Sequence, residues 1–299
     1  MHLSRNKPFL VGILLAVSAI WGSAFVVMKD TLQRLDVNSF LAWRFLIATL
    51  VMVALRPKTL KKIDASMTIK GLVTGTILGA GYILQSFGLT MTSVAKTGFI
   101  TGLYAILTPL IAAFLLKKHV TRFQWLCVAL ALLGLLLLSF NGVGLAHGEL
   151  LGEFLVLLSA LTFAMHIIAL SEWSSGLDTY TFTVLQMAAV TLVTFLASLK
   201  SGFHAPPDGG VWRALIYTAI FASAFAFIVQ TWTQSFMPAT TIGIILTMEY
   251  IFAALFGVWL LHEKATVRLI LGGTLVIIAM LAIVKAEPQS EKLGEIAHD

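Results

Sequence analysis

The chain has 299 residues, of which 59% are hydrophobic and 11% charged, with a mean hydropathy of +0.94. Soluble domains are about 25% charged, so this composition excludes a water-facing globular surface and disorder, and one cysteine, Cys127, excludes a disulfide scaffold. The net charge of +6 comes from 20 Lys and Arg dispersed through apolar sequence, which fits loop charges of a membrane protein and not a nucleic-acid footprint.

A helix needs about 20 apolar residues to cross the hydrocarbon layer. Ten such runs are predicted: 9–28, 39–55, 69–90, 94–116, 123–140, 149–170, 180–199, 211–233, 239–261 and 266–284. Their lengths, and the lack of alternation from Leu130 to Leu138, favour helices over barrel strands. The first run stays apolar to Met28, long for a signal-peptide core, and is read as a retained span. It carries Ala19-Ile20-Trp21-Gly22-Ser23-Ala24-Phe25, followed by Lys29, and the second carries Trp43-Arg44-Phe45-Leu46-Ile47-Ala48. Arg44 is expected to be structural, close enough to the outer boundary to snorkel or to pair with an acid or a helix end.

The third run has Gly71, Gly75 and Gly79 at every fourth position, then Tyr82 and Gln85-Ser86-Phe87-Gly88-Leu89. Thr92-Ser93-Val94-Ala95-Lys96 leads into the fourth, where Gly98 and Gly102 repeat the glycine spacing and Tyr104 precedes Leu107-Thr108-Pro109. Small stripes allow close helix approach or sliding, and Pro109 predicts a kink because it removes a backbone hydrogen bond. His166 lies in the sixth run, and Gln230, with Gln234 on its face and Trp232 between them, in the eighth. Pro238 opens the ninth, which holds Glu249, the one acid predicted at mid-span, and ends Trp259-Leu260-Leu261-His262-Glu263. Residues 285–299 form a polar tail, expected to be disordered.

Lys and Arg of the first half cluster in loops on the N-terminal side, so both termini are predicted cytoplasmic. Self-comparison shows a repeat. At an offset of 145, Gln85 meets Gln230 and Gly98 meets Gly243; nearer the front the offset is 141 or 142, with Ser18-Ala19 over Ser159-Ala160 and Leu35-Asp36 over Leu177-Asp178. Two halves, 1–144 and 145–284, with five spans each would enter the bilayer from opposite faces.

A charge in hydrocarbon is costly, so buried polar groups mark a site. Glu249 either exchanges a proton or holds a substrate ammonium, or is pinned for packing; both readings stay open. Trp21, Gln85, Tyr104, His166, Gln230 and Glu249 are the candidate substrate-binding residues, with Tyr82, Trp232 and Tyr250 as further aromatic wall. Arg44, Gly75, Gly79 and Pro109 are assigned structural roles.

The Trp21-Gly22 and Arg44-Phe45 pairs, with Gln85, Thr108-Pro109 and His262-Glu263, resemble the EamA-type transporters of the drug/metabolite transporter superfamily over nearly the whole chain. The resemblance implies an all-α fold of ten transmembrane helices in two inverted five-helix repeats around a cavity, in a bacterial inner membrane. It also implies export of amino acids, related metabolites or drugs. Lys117-Lys118-His119 departs from it, standing where the family often has an acid; the second half keeps Glu263.

A phosphate-binding loop and a His-Glu-x-x-His zinc motif are both absent from the sequence. Neither cofactor nor metal is expected, and the partners are a small solute and lipid, with the chain a monomer or homodimer. The reading is a secondary transporter working by alternating access, against a membrane scaffold or sensor, or an intramembrane enzyme.

Overall fold

The computed structural model describes residues 7–115, 121–139, 147–173, 176–234 and 245–286. Lys117-Lys118-His119, Pro238, Gly243, the Gln234 side chain and the tail beyond Ala286 lie outside the described residues. Everything regular within them is helical, with no strand. In chain order the elements are α1 (Lys7–Thr31), α2 (Val37–Leu55), a short 3-10 turn (Pro57–Lys62), α3 (Ala65–Met91), α4 (Val94–Gly102), α5 (Tyr104–Leu115), α6 (Arg122–Ser139) and α7 (His147–Trp173). There follow α8 (Thr179–Ser198), α9 (Gly209–Ala219), a π segment (Ile220–Phe225), α10 (Ala226–Gln234), α11 (Met248–Leu260) and α12 (Val267–Ala286).

Seven helical stretches are long and apolar enough to cross a membrane, with α4–α5 and α9–α10 each counted as one. Arg122–Leu138, Met248–Leu260 and Val267–Ala282 are shorter apolar helices. Large side chains point outward along them: Phe114 is 82% exposed, Trp259 72% and Leu136 66%. Such an apolar exterior suits lipid and would be an aggregation surface in water.

Short polar residues start the helices where the chain leaves the apolar layer. Asp36, Asp64, Asp178 and Asp208 cap α2, α3, α8 and α9, each accepting from a backbone N–H of the first turn, as Ser93 does for α4. Asp36 and Asp178 belong to the Leu-Asp pairs that overlap at an offset of 142.

Glycines set the helix crossings. A Cβ on Gly75 would lie 2.5 Å from the Gln186 carbonyl oxygen, so α3 packs backbone to backbone on α8. On α1, Gly22 sits as tightly against α11, 2.8 Å from the Ala253 nitrogen by the same measure. Three contacts run antiparallel. The start of α2 meets the end of α8 through Asn38 Nδ2 donating to the Ala197 carbonyl (3.5 Å), while its end meets the start of α8 through Tyr180 Oη donating to the Met52 carbonyl (2.7 Å). In α4 and α11, Gly98 faces Ala253 and Gly102 faces Tyr250; in α6 and α12, Gly134 faces Val276 and Gly272 faces Leu138.

Two expectations are corrected. The fourth span is not one continuous helix: α5 runs through Pro109, and the helix is interrupted at Leu103, between α4 and α5. At Leu103 the chain tightens into a turn, with Leu103 N donating to the Ile100 carbonyl at 3.1 Å. Arg44 does not snorkel. It is 2% exposed and directed into the bundle, held there by polar groups of the π segment.

Candidate functional site

The π segment is the first building block. Ala226 N–H donates to the Phe221 carbonyl, five residues back, and this wider winding leaves carbonyls without their usual α-helical partner. Two side chains occupy the space. Trp21 Nε1 donates to the Ala222 carbonyl at 2.8 Å, and Arg44 donates from Nε to Ser223 Oγ at 2.8 Å and from Nη2 towards the same Ala222 carbonyl at 3.4 Å. The Trp-Gly and Arg-Phe pairs thus have a physical basis. Gly22 lets α1 approach α11, and Trp21 and Arg44 tie α1 and α2 to the irregular turn of the eighth run.

Next to this tie lies a central cavity of about 80 Å³. A water occupies roughly 10–15 Å³ on such a measure, so the space suits a few waters or a small solute. Trp21, Gln85, Tyr104, His166, Gln230 and Glu249 all line it, and so do Arg44, Tyr82, Thr101, Phe163 and Phe227. The six candidates are brought together from α1, α3, α5, α7, α10 and α11. Trp232 is not among the lining residues, and Tyr250 packs behind, 6.0 Å from Tyr104 ring to ring.

The lining mixes aromatic and polar side chains. Tyr82 packs on Phe45 at 4.9 Å and Phe163 at 5.4 Å, and the Arg44 guanidinium carbon stands 5.0 Å from the Tyr82 ring centre. Gln85 Nε2 donates to Thr101 Oγ1 at 3.1 Å, and His166 Nε2 shares a hydrogen bond of 2.8 Å with Gln186 Oε1. Gln230 Oε1 is buried with no partner among the described residues. Tyr104 and Glu249 each stand just past an interruption, at Leu103 and Thr247, in the opening turn of α5 and of α11. Interrupted helices at corresponding positions of two halves are where carriers place their sites.

Sequence reasoning left out Arg44, Phe163 and Phe227. The offsets point to two of them: Trp21 plus 142 is Phe163, and Tyr82 plus 145 is Phe227. Among the described residues no cluster of His, Cys, Asp and Glu could hold a metal.

Away from the cavity, one end of the bundle carries a cluster of charges, with Lys96 and Glu153 buried and Lys29, Glu149 and Glu263 partly so. Lys96 Nζ bonds Glu149 at 2.7 Å and Glu153 at 2.8 Å, joining α4 to α7. Glu263 accepts from the backbone N–H groups of Val94 (2.6 Å) and Ala95 (3.1 Å), and Lys29 donates to the Leu89 carbonyl (2.6 Å) at the end of α3. At the opposite end Asp178 is bridged by Arg56 and Lys62.

Comparison with known proteins agrees with this arrangement. A family model described as the EamA-like transporter family matches residues 9–140 and again 150–285. An uncharacterized transporter of Archaeoglobus fulgidus is 29% identical, covering 89% of this chain and 83% of its own. The uncharacterized transporter YoaV of Bacillus subtilis is 24% identical over 89% and 93%. A WAT1-related chloroplast protein of Arabidopsis thaliana is 25% identical over 91% of this chain and 68% of its own. A protein of known crystal structure shares the fold, with a TM-score of 0.64 and 17% identity over 92% and 96% of the two chains.

Proposed function

The chain belongs to the EamA-like transporter family, a multi-pass membrane protein and not an enzyme, and from that premise we propose that it is a secondary carrier with its substrate site in the central cavity. The observation that carries the proposal is that both halves contribute side chains to one cavity: Trp21, Gln85 and Tyr104 from 1–144, and His166, Gln230 and Glu249 from 145–284. The substrate is a small metabolite, with amino acids and related compounds first, and drugs second. Alternating access moves it, and export is the preferred direction, by likeness to the family.

We read ten spans in two inverted halves. The packing supports this. Moving five spans along turns the contact of α1 with α11 into that of α7 with α4 and α5, and the contact of α3 with α8 into that of α2 with α9; all of these occur. The helices that would be equivalent (α2 and α8, α4 and α11, α6 and α12) cross antiparallel, as inversion requires. Both termini are placed in the cytoplasm of a bacterial cell, with the chain in its inner membrane.

Counterflow in proteoliposomes is the test. Vesicles preloaded with an unlabelled amino acid should accumulate the labelled compound, and a Trp21→Ala variant that still inserts should lose most of that accumulation. An absence of counterflow over a broad panel of metabolites would overturn the carrier reading. Glu249→Gln with unchanged dependence of flux on pH would remove proton exchange from that residue.

A further inference from the structure

Two ionisable side chains of opposite type line the cavity. Arg44 is 2% exposed and Glu249 7%, both line the cavity, and among the described residues neither belongs to an ion pair. Burial of a single charge costs several kcal/mol unless an opposite charge or a full set of hydrogen bonds compensates it. A guanidinium has five N–H donors. Those of Arg44 reach Ser223 Oγ, the Ala222 carbonyl and, at 3.3 Å, Met28 Sδ, a weak acceptor that a carboxylate would outcompete. Gln230 lines the same cavity, is 6% exposed, and has a buried Oε1 acceptor with no donor among the described residues.

We infer that the cavity is a two-pole site in which Arg44 selects the anionic end of a zwitterionic solute, while Glu249 with Gln230 selects its cationic end. The inference rests on the carrier reading and deepens it, since Arg44 becomes a specificity-determining residue. The chemistry at each pole fits. The guanidinium fork matches a carboxylate, which accepts two parallel hydrogen bonds from it. An ammonium donates three, and a carboxylate with an amide oxygen can take two of them. The Tyr82, Trp21 and Phe227 rings also line the cavity, so a solute with a short hydrocarbon body between its charges finds apolar contacts there. A solute with only one charge would leave the opposite pole uncompensated.

The test uses matched trios of probes on the full chain in nanodiscs: alanine, ethylamine and propionate, then leucine, 3-methylbutylamine and 4-methylpentanoate. The concentration giving half-maximal thermal stabilisation is read for each. For the wild type, at least one amino acid should act at a concentration about tenfold or more below those of its amine and its acid. Arg44→Gln should narrow the gap between amino acid and amine while leaving that to the acid; Glu249→Gln should do the reverse. Arg44→Lys, which keeps the charge without the fork, should fall between. A loss of all three responses in equal proportion in Arg44→Gln would assign Arg44 to packing and overturn the inference. If Arg44→Gln fails to fold, the wild-type trios and Glu249→Gln still decide, because an amine or acid equal to its amino acid, or no stabilisation by any probe, also overturns it. Selective stabilisation without counterflow would instead uphold the two-pole site and remove the carrier reading.

Discussion

Single residues carry clear consequences here. Gly22 has no room for a side chain: a Cβ would lie 2.6 Å from Phe252 Cβ and 2.9 Å from the Glu249 carbonyl oxygen. Gly22→Ala should therefore force α1 from α11 and destabilise by about 1–3 kcal/mol, read as a lowered melting temperature in detergent. Asp178, outside the spans, is a pH-sensitive residue. Partial burial pushes its carboxyl pKa up, but hydrogen bonds from Lys62 and Thr181 and the nearby Arg56 outweigh this and hold it at about 2. A depressed carboxylate pKa adds stability above the unfolded value near 3.9, lost as pH falls towards the folded one. Asp178→Asn should thus cost melting temperature at pH 7, and the difference from the wild type should shrink as pH falls from about 4 towards about 2. At this scale the sequence was informative: polar residues are so few in the spans that each stood out, and Trp21, Gln85, Tyr104, His166, Gln230 and Glu249 meet in one cavity. Arg44 was misplaced because its distance from the span's end fits either snorkelling or burial. What distinguishes them is the π segment facing it.

At the scale of elements, the α3 glycines separate two mechanisms that look identical in sequence. Gly75 would drive a Cβ into the backbone of Gln186, whereas at Gly79 the nearest atom is Val193 Cβ at 3.4 Å, an ordinary contact. Gly75→Ala should lower the melting temperature. Gly79→Ala should leave it unchanged or raise it, since Ala is favoured over Gly in a helix by about 1 kcal/mol. The Lys96–Glu149–Glu153 triad joins α4 and α7 with Lys96 and Glu153 almost out of solvent. Lys96→Met leaves two carboxylates facing each other and should cost about 3–5 kcal/mol, while Lys96→Met combined with Glu149→Met and Glu153→Met should recover much of it. Neither the π segment nor the turn at Leu103 was legible. The π segment depends on Trp21 and Arg44 of neighbouring helices reaching the Ala222 carbonyl, and no strong local breaker marks Leu103.

For the whole molecule, the helical class and several borders were legible because hydropathy is averaged over about 20 residues, and α1, α3 and α7 overshoot the predicted ends by only a few residues. The packing was not, since apolar helices offer little in composition to say which neighbour they choose. Lys61 and Ala205 are exposed in the connections after α2 and α8, which the proposed inversion puts on opposite sides of the bilayer. In a Cys127→Ala background, Lys61→Cys and Ala205→Cys should react with an impermeant maleimide from opposite sides of right-side-out vesicles. Labelling of both from one side would end the inverted arrangement.

The two ends of the bundle also differ in how their ion pairs meet solvent. Arg56 and Lys62 are 42% and 46% exposed against Asp178, whereas Lys96 is 9% exposed against Glu153 at 6%. Screening acts strongly on charges in water and weakly on buried ones. Added electrolyte should therefore weaken the bridges of Arg56 and Lys62 to Asp178 more than the one between Lys96 and Glu153.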